Sequence, residues 1–276
     1  MELRQKTSAQ TANRVLRTMK ACLYFAMKEL DALERNVLAR FGKFESTEGE
    51  RHASRDSFTE EEVRALLASA REGHERCLVA TLAFTGMRPG ELFALDGSSV
   101  DLEGGKLAVT RSWDNRGRKF VGPKTKAGIR VVPLSSWLVA ELTAYKASTG
   151  GAGLVFGNGA GKPTNPSNFR RDTWLPLRKR AGVRPLDAYS LRHTFASLGR
   201  VSGESAFNVS RALGHAHSSI VDAVYAHSLP SGLASVGEAV TARALGMKPK
   251  LTVIEGGVRE PLEKAPDSSS KVSATG

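Results

Sequence analysis

Between Thr11 and Leu30 the apolar residues Val15, Met19, Cys22, Leu23, Ala26 and Leu30 recur at about 100° per residue, which predicts a helix with one apolar face. Arg14, Arg17, Lys20 and Lys28 fall on the other side. A solvated basic face and a face laid along phosphates share this pattern, and the solvated face is the commoner of the two. The periodicity breaks over the polar stretch Glu45 to Asp56, which reads as a linker. Thr59 with Glu62 three positions on forms a capping box, opening a helix that runs to a stop at Gly73. A buried helix is predicted over His74 to Phe84. After Val100 to Glu103 the pattern turns to strands at Lys106–Trp113, Lys119–Lys124 and Ile129–Leu134, with a turn at Asp114-Asn115-Arg116-Gly117 between the first two. Helical patterns resume at Ser135–Ser148, Asn165–Ala181, Tyr189–Arg200, Ser205–Leu213 and Ser218–His227.

These elements predict an α+β chain that is mainly α: a helical body with a small three-stranded antiparallel sheet, preceded by a short helical segment. The expected divisions are residues 1–50, 56–230, a C-terminal helix over 231–248 and a disordered tail over 249–276, whose Ser, Pro, Lys and Glu content is too polar to fold alone. The helix around Leu233 to Leu245 has two open assignments, docking on a neighbouring copy or packing on its own domain.

Charge narrows the partners. With 40 Lys and Arg against 28 Asp and Glu the formal charge is +12, which points to polyanions. The excess is clustered: nine basic residues against four acidic in 1–43, seven against one in 111–130, and five against one in 170–182. Three basic stretches of this kind can line one groove, and the DNA-contacting candidates are Arg14, Arg17, Lys20, Lys28, Lys126, Arg170, Arg171, Arg178, Lys179 and Arg180. Two cysteines, Cys22 and Cys77, both in apolar helical surroundings, exclude a disulfide framework or zinc cluster. The longest apolar run, Cys77 to Phe84, is far short of the ~20 residues that cross a bilayer, and no signal-like stretch opens the chain, so a cytoplasmic protein is expected. Histidine spacing gives no metal site, and Trp113, Trp137 and Trp174 read as core residues more readily than as base-stacking platforms.

Four short boxes carry the candidate chemistry. Thr85-Gly86-Met87-Arg88-Pro89-Gly90-Glu91-Leu92 holds Arg88 between a glycine stop and a proline suited to a helix's first turn, with Glu91 placed to orient the guanidinium. An ordinary capped helix start would have the same residues. Tyr189-Ser190-Leu191-Arg192-His193-Thr194-Phe195-Ala196 puts Arg192 on a helix one turn after Tyr189. Leu213-Gly214-His215 ends a helix, and Tyr225 follows His215 by ten residues.

Taken together, these boxes over about residues 56–230 resemble the catalytic domain of the tyrosine recombinase, or phage integrase, family, and residues 8–43 are similar to the closing helices of that family's core-binding domain, at about half its usual length. The resemblance implies that Arg88 and Arg192 clamp a scissile phosphate, that His215 hydrogen-bonds it, and that Tyr225 attacks it. It also implies that Lys124, with Lys126 as the fallback, protonates the leaving 5′ oxygen. His193 is then expected to pack or hydrogen-bond within the fold, and His217 and His227 to lie at the surface. Tyr189 stands where the family usually has a histidine; its hydroxyl can donate to a phosphate but is a poor base at neutral pH, and a packed aromatic is the alternative. The implied partners are double-stranded DNA, further copies of the chain as a tetramer on paired sites, and accessory DNA-bending proteins, with no cofactor and no membrane.

The chemistry fits the residue types. Charge builds on the non-bridging oxygens as a phosphodiester is attacked, and each arginine offers a planar fork of donors that stays charged. Holding a tyrosine as phenolate at neutral pH costs roughly 4 kcal/mol, so nearby cations or a base must assist Tyr225. Two rivals remain at this stage: a relaxing topoisomerase of the related tyrosine class, and a DNA-binding protein of the same fold whose catalysis is impaired.

Overall fold

The computed structural model describes residues 7–47, 57–123, 128–150, 153–214 and 231–247, with backbone only for 231–235. The predicted helix at Ser218–His227, the tail, most of the linker, and Lys124, Lys126, His215, His217, Tyr225 and His227 lie outside the described residues.

In the N-terminal segment, α1 runs over Ala9–Lys28, with the Ser8 side chain accepting the Thr11 amide. It ends before Leu30, and the face it buries is not the one predicted. Ala9, Ala12 and Leu16 are buried, while Val15, Met19 and Cys22 are exposed. The cause is polar. Asn13 exchanges two hydrogen bonds with the Phe44 backbone (2.7 and 2.8 Å), and the Lys20 ammonium donates to the carbonyls of Ala39 and Phe41 (3.1 and 2.7 Å). Residues 13, 16 and 20 share a helix face, so the returning chain lies there. Cys22 is therefore a surface thiol rather than a small hydrophobe in apolar surroundings.

The second body opens with α2 (Glu60–Ser69), whose capping box between Thr59 and Glu62 is formed as predicted. The helix stops at Ser69, before Gly73, because the Glu75 carboxylate takes the Arg71 amide at 2.7 Å and turns the chain. Gly73, at φ 77°, instead leads into α3 (His74–Thr85). Every residue of α3 from Cys77 to Thr85 is buried, which its weak amphipathicity reflects. The four-residue α4 (Pro89–Leu92) follows.

The strands depart from expectation in their partners. β1 (Val100–Asp101), β2 (Lys106–Val109) and β5 (Arg130–Pro133) form a three-stranded antiparallel sheet in the order β1-β2-β5, pairing Leu107 with Val100 and Val132, and Val109 with Arg130. β3 (Ser112–Asp114) and β4 (Lys119–Val121) form a separate hairpin, with Trp113 opposite Phe120. The predicted strand Lys106–Trp113 breaks because Arg111 turns back to the Ala94 carbonyl (2.9 Å) and the Asp96 carboxylate (3.2 Å).

α5 (Ser136–Thr149) packs on α3. The helical stretch predicted from Asn165 contains a π-helical section, Phe169–Trp174, between the turn Pro166–Asn168 and α6 (Leu175–Ala181). Pro176 has no N–H to give to the preceding turn, and the wider π turn accommodates it. α7 (Ser190–Val201) packs against α3, and α8 (Ala206–Leu213) against α7. α9 (Ser231–Leu245) lies across α7, α8 and α2 of its own domain, with Val236, Val240 and Ala244 at 0% exposure on one face. Its Glu238 accepts the Ser136 amide and Arg243 pairs with Glu60, so packing on the same domain is the arrangement adopted. Trp174 is buried in the core as predicted, while Trp113 and Trp137 pack half-buried on its margin.

Candidate active site

Three chain segments meet at Gly86. This residue ends α3 in the left-handed conformation, φ 61°, and a Cβ there would lie 2.6 Å from Leu213 and 2.8 Å from Phe195. Only glycine allows α3, α7 and the end of α8 to approach so closely. Arg192, on α7 and 3% exposed, fixes the junction: Nη1 donates to the Gly86 carbonyl at 2.7 Å and Nη2 to the Leu213 carbonyl at 2.6 Å. Helix C-termini leave carbonyls unpaired and carry partial negative charge, so a guanidinium satisfies both at once. Burial, then the neighbouring Arg88 charge, lowers the Arg192 guanidinium to about 10, and it remains charged at neutral pH. Two of its five N–H donors are engaged by these carbonyls.

Two residues past Gly86, Arg88 is extended (φ −73°, ψ 145°) and Pro89 begins α4. Glu91 takes both the Arg88 backbone amide and its Nη1, each at 2.9 Å, so the carboxylate orients the guanidinium as the sequence reading expects. The Arg88 side chain keeps 41% exposure, open to a ligand, whereas Glu91 is buried. Burial pushes the Glu91 carboxyl up. Hydrogen bonds and charge from Arg130, reinforced by Arg88, outweigh burial and leave it below the ordinary carboxylate range.

Arg130 was not among the expected residues. It opens β5 facing inward, Nη1 and Nη2 contact the two Glu91 oxygens at 3.2 and 2.8 Å, and Nε donates to the Ala212 carbonyl at 2.9 Å. A signal was present, since Arg130 and Val132 share the inward register of a strand and an inward arginine requires a buried partner.

Tyr189 sits just before α7 with its ring 41% exposed, and its amide donates to the Asp187 carboxylate at 2.9 Å. His193 is exposed rather than packed inside the fold; its ring meets Tyr189 edge-on at 5.3 Å, because Leu191, Arg192, Thr194 and Phe195 take the buried positions of α7. Tyr189 is therefore a surface aromatic beside a surface histidine.

The basic candidates divide. Arg14, Arg17 and Lys28 are exposed on α1, and Arg170 and Lys179 on the π-helical stretch and α6. Others are engaged within the fold: Lys20 at its two carbonyls, Arg178 at the Leu186 carbonyl, and Arg180 at both Glu75 oxygens (2.8 and 2.7 Å). Arg171 is paired with Asp172 at the surface. Among the described residues no three His, Cys, Asp or Glu gather as a metal site, and no helix is long and apolar enough to cross a membrane. A cavity of about 720 Å³ lined by His74, Tyr145, Val155 and Phe169 includes none of the candidate residues. Its size does not make it the site, because the convergent charges lie elsewhere.

The fold is that of DNA integrases. The Tn1549 transposon integrase, solved in complex with transposon right-end DNA, superposes with a TM-score of 0.62 over 83% of this chain and 78% of that one at 19% identity. A lambda integrase dimer bound to a COC′ core site gives 0.56 over 77% and 74% at 17% identity. Residues 56–231 match the family model described as the phage integrase family, and the chain belongs to that family. Among curated relatives it is 32% identical over 201 residues to a XerC-like tyrosine recombinase of Caldanaerobacter subterraneus subsp. tengcongensis, covering 63% of this chain and 51% of that protein. It is 30% identical over 194 residues to the prophage integrase IntR of Escherichia coli K12, covering 62% and 47%. The chain spans about half the length of the curated relatives it matches.

Proposed function

We propose that this chain is a site-specific DNA recombinase that cuts and rejoins strands through a 3′-phosphotyrosyl link. The observation that carries the reading is the convergence of the Arg88 and Arg192 boxes on Gly86, with one guanidinium tied to the backbone there and the other left accessible. In this reading Arg88 and Arg192 meet the charge developing on the scissile phosphate, with His215 as a further donor. The Tyr225 hydroxyl gives up its proton to a nearby base or water as its oxygen bonds to phosphorus, and the bond to the 5′ oxygen breaks. Lys124 delivers the proton to that oxygen, or Lys126 if Lys124 is misassigned. Attack by another 5′ hydroxyl reverses the step, and the phosphotyrosine retains the bond energy, so rejoining needs no nucleotide cofactor.

The partner is duplex DNA; the Tn1549 integrase was solved with transposon right-end DNA and the lambda integrase dimer on a COC′ core site. Residues 56–230 form the catalytic domain and residues 1–50 a second DNA-contacting segment. The exposed cations Arg14, Arg17, Lys28, Arg170 and Lys179 supply phosphate contacts, so affinity falls steeply with salt. Paired sites call for several copies, up to a tetramer, assisted by DNA-bending proteins, on DNA in the cytoplasm.

The test is incubation with a nicked suicide duplex carrying the junction sequence at the end of the element that encodes the chain, followed by a denaturing gel. A covalent adduct formed by the native chain and absent with Tyr225→Phe is expected. DNA binding without an adduct would favour the second reading, a binder of impaired catalysis, for which the specific observation is Tyr189 in place of the family's usual histidine. An adduct retained by Tyr225→Phe would overturn the nucleophile.

A further inference from the structure

We propose that Arg130 is a positioning residue for strand cleavage: through Glu91 it sets the orientation and effective charge of Arg88, and through the Ala212 carbonyl it fixes the chain entering His215. The inference rests on the recombinase reading above. Arg130 occupies an inward position of β5, paired with Val109 and next but one to Val132, where an aliphatic side chain would complete the core. Its side chain is only 6% exposed and, with Glu91 at 7%, forms a buried ion pair. Such a pair is weak evidence for stability, since apolar residues of similar volume often serve as well or better. Its geometry says more. Glu91 alone beside Arg88 would cancel the charge that a phosphate is to meet. Arg130 neutralises Glu91 by contacting both of its oxygens, so the trio carries a net positive charge and the accessible end of it is Arg88.

The second arm of Arg130 has a different reach. Nε holds Ala212 in the last turn of α8, next to the Leu213 carbonyl held by Arg192, so two arginines grip successive carbonyls before Gly214 ends the helix. A weaker contact from Nη1 to the Gly128 carbonyl, 3.4 Å, ties in the strand's own approach. One buried guanidinium thus links the segment bearing Arg88 to the end of the helix that precedes His215. A lysine cannot reproduce this, because a single ammonium lacks the planar fork that reaches both Glu91 oxygens and Ala212 together.

The experiment measures single-turnover cleavage by the full chain at saturating protein, using the nicked suicide duplex with either a normal phosphodiester or a methylphosphonate at the scissile position. The native chain is compared with Arg130→Met and Arg130→Lys, and melting and DNA affinity are recorded alongside. On the phosphodiester, Arg130→Met should cleave about 100-fold slower, the scale of a small misplacement in a preorganised site, and Arg130→Lys should be intermediate. DNA affinity should stay within about 3-fold, since a buried group relays orientation and does not grip DNA. On the methylphosphonate, which offers Arg88 one charged oxygen fewer, the gap between native and variant should shrink at least 10-fold. Equal slowing on both substrates would reveal a general packing lesion and overturn the proposal, as would undiminished cleavage. If Arg130→Met does not fold, the same comparison with Arg130→Lys decides. A native chain that forms no adduct would overturn the recombinase reading and this inference with it, whereas a native adduct with no substrate-dependent loss would overturn this inference alone.

Discussion

The N-terminal segment and the body that follows Ser57 are built from similar amounts of apolar sequence, yet they are held together by different means. α1 buries Ala9, Ala12 and Leu16 and leaves Met19 and Phe25 at 50% and 57% exposure. Its returning chain is fastened by Asn13, Lys20 and Asn36 through backbone hydrogen bonds. The body buries the whole of α3 from Cys77 onward and closes Phe84, Phe93, Phe156, Phe195 and Trp174 into one core. Apolar periodicity therefore indicates a helix in both regions but marks the buried face in only one. Amide and ammonium groups seeking carbonyls decide the other.

The largest contrast is expected from side-chain truncation. Trp174, 1% exposed, stacks edge-on against Phe58 and donates its indole N–H to the Leu186 carbonyl. Trp174→Ala should lower unfolding free energy by about 3–5 kcal/mol in urea titration, whereas Phe25→Ser should change it by less than about 0.5 kcal/mol. Comparable losses would mean that α1 is packed as tightly as the body. The two cysteines sharpen the same point. Burial, then the Glu141 charge, pushes the Cys77 thiol up to about 11, while Cys22 is exposed. At about pH 8 a thiol-reactive dye should label Cys22 at least ~100-fold faster than Cys77, which has roughly one thiolate in a thousand. Equal rates would show that α3 opens readily. A smaller effect belongs to Asn13→Ala, which strips the Phe44 N–H and C=O of their partners. Exchange of the Phe44 amide should accelerate about 10-fold, matching a local loss of ~1 kcal/mol, with the melting temperature of the body unchanged.

How much of this was legible in the sequence follows the same division. The capping box at Thr59, the buried α3, the two arginine boxes and the C-capping Gly86 and Gly214 are local signals, and the structure forms them where they were read. Local pattern also gave a small antiparallel sheet, but not its partners. Arg111 breaks a strand by reaching Ala94 and Asp96, whose proximity only the fold creates, and Glu75 ends α2 early by taking the Arg71 amide, a local side-chain contact that apolar periodicity does not register. The role of Arg130 is hidden from local pattern for a related reason. Its significance lies in partners 39 and 82 positions away, Glu91 and Ala212. His193, expected to pack or hydrogen-bond within the fold, lies exposed against the Tyr189 ring, because the helical register of α7 turns Arg192 inward and His193 out.

The smallest effect expected concerns acid. Glu62 is joined to Arg184 by two close contacts, 2.8 and 2.7 Å, which tie the first turn of α2 to the chain following α6. The Arg184 hydrogen bond, working against burial, lowers the Glu62 carboxyl from 4.5 to about 2. A carboxyl depressed in the folded state stabilises it above its unfolded value and loses that contribution as pH falls from about 4.5 toward 2. Because Arg184 is 45% exposed, the pair is worth less than about 1 kcal/mol. Glu62→Gln keeps a side chain that can complete the capping box and removes only the charge. Urea midpoints at about pH 7 and pH 3 should therefore converge for native and variant on the acid side, the native chain falling further. Parallel falls would mean that the pair contributes nothing. Throughout, protection of the Phe44 amide should follow Asn13, which does not titrate, so mild acid would loosen the junction within the body while leaving the polar fastening of α1 intact.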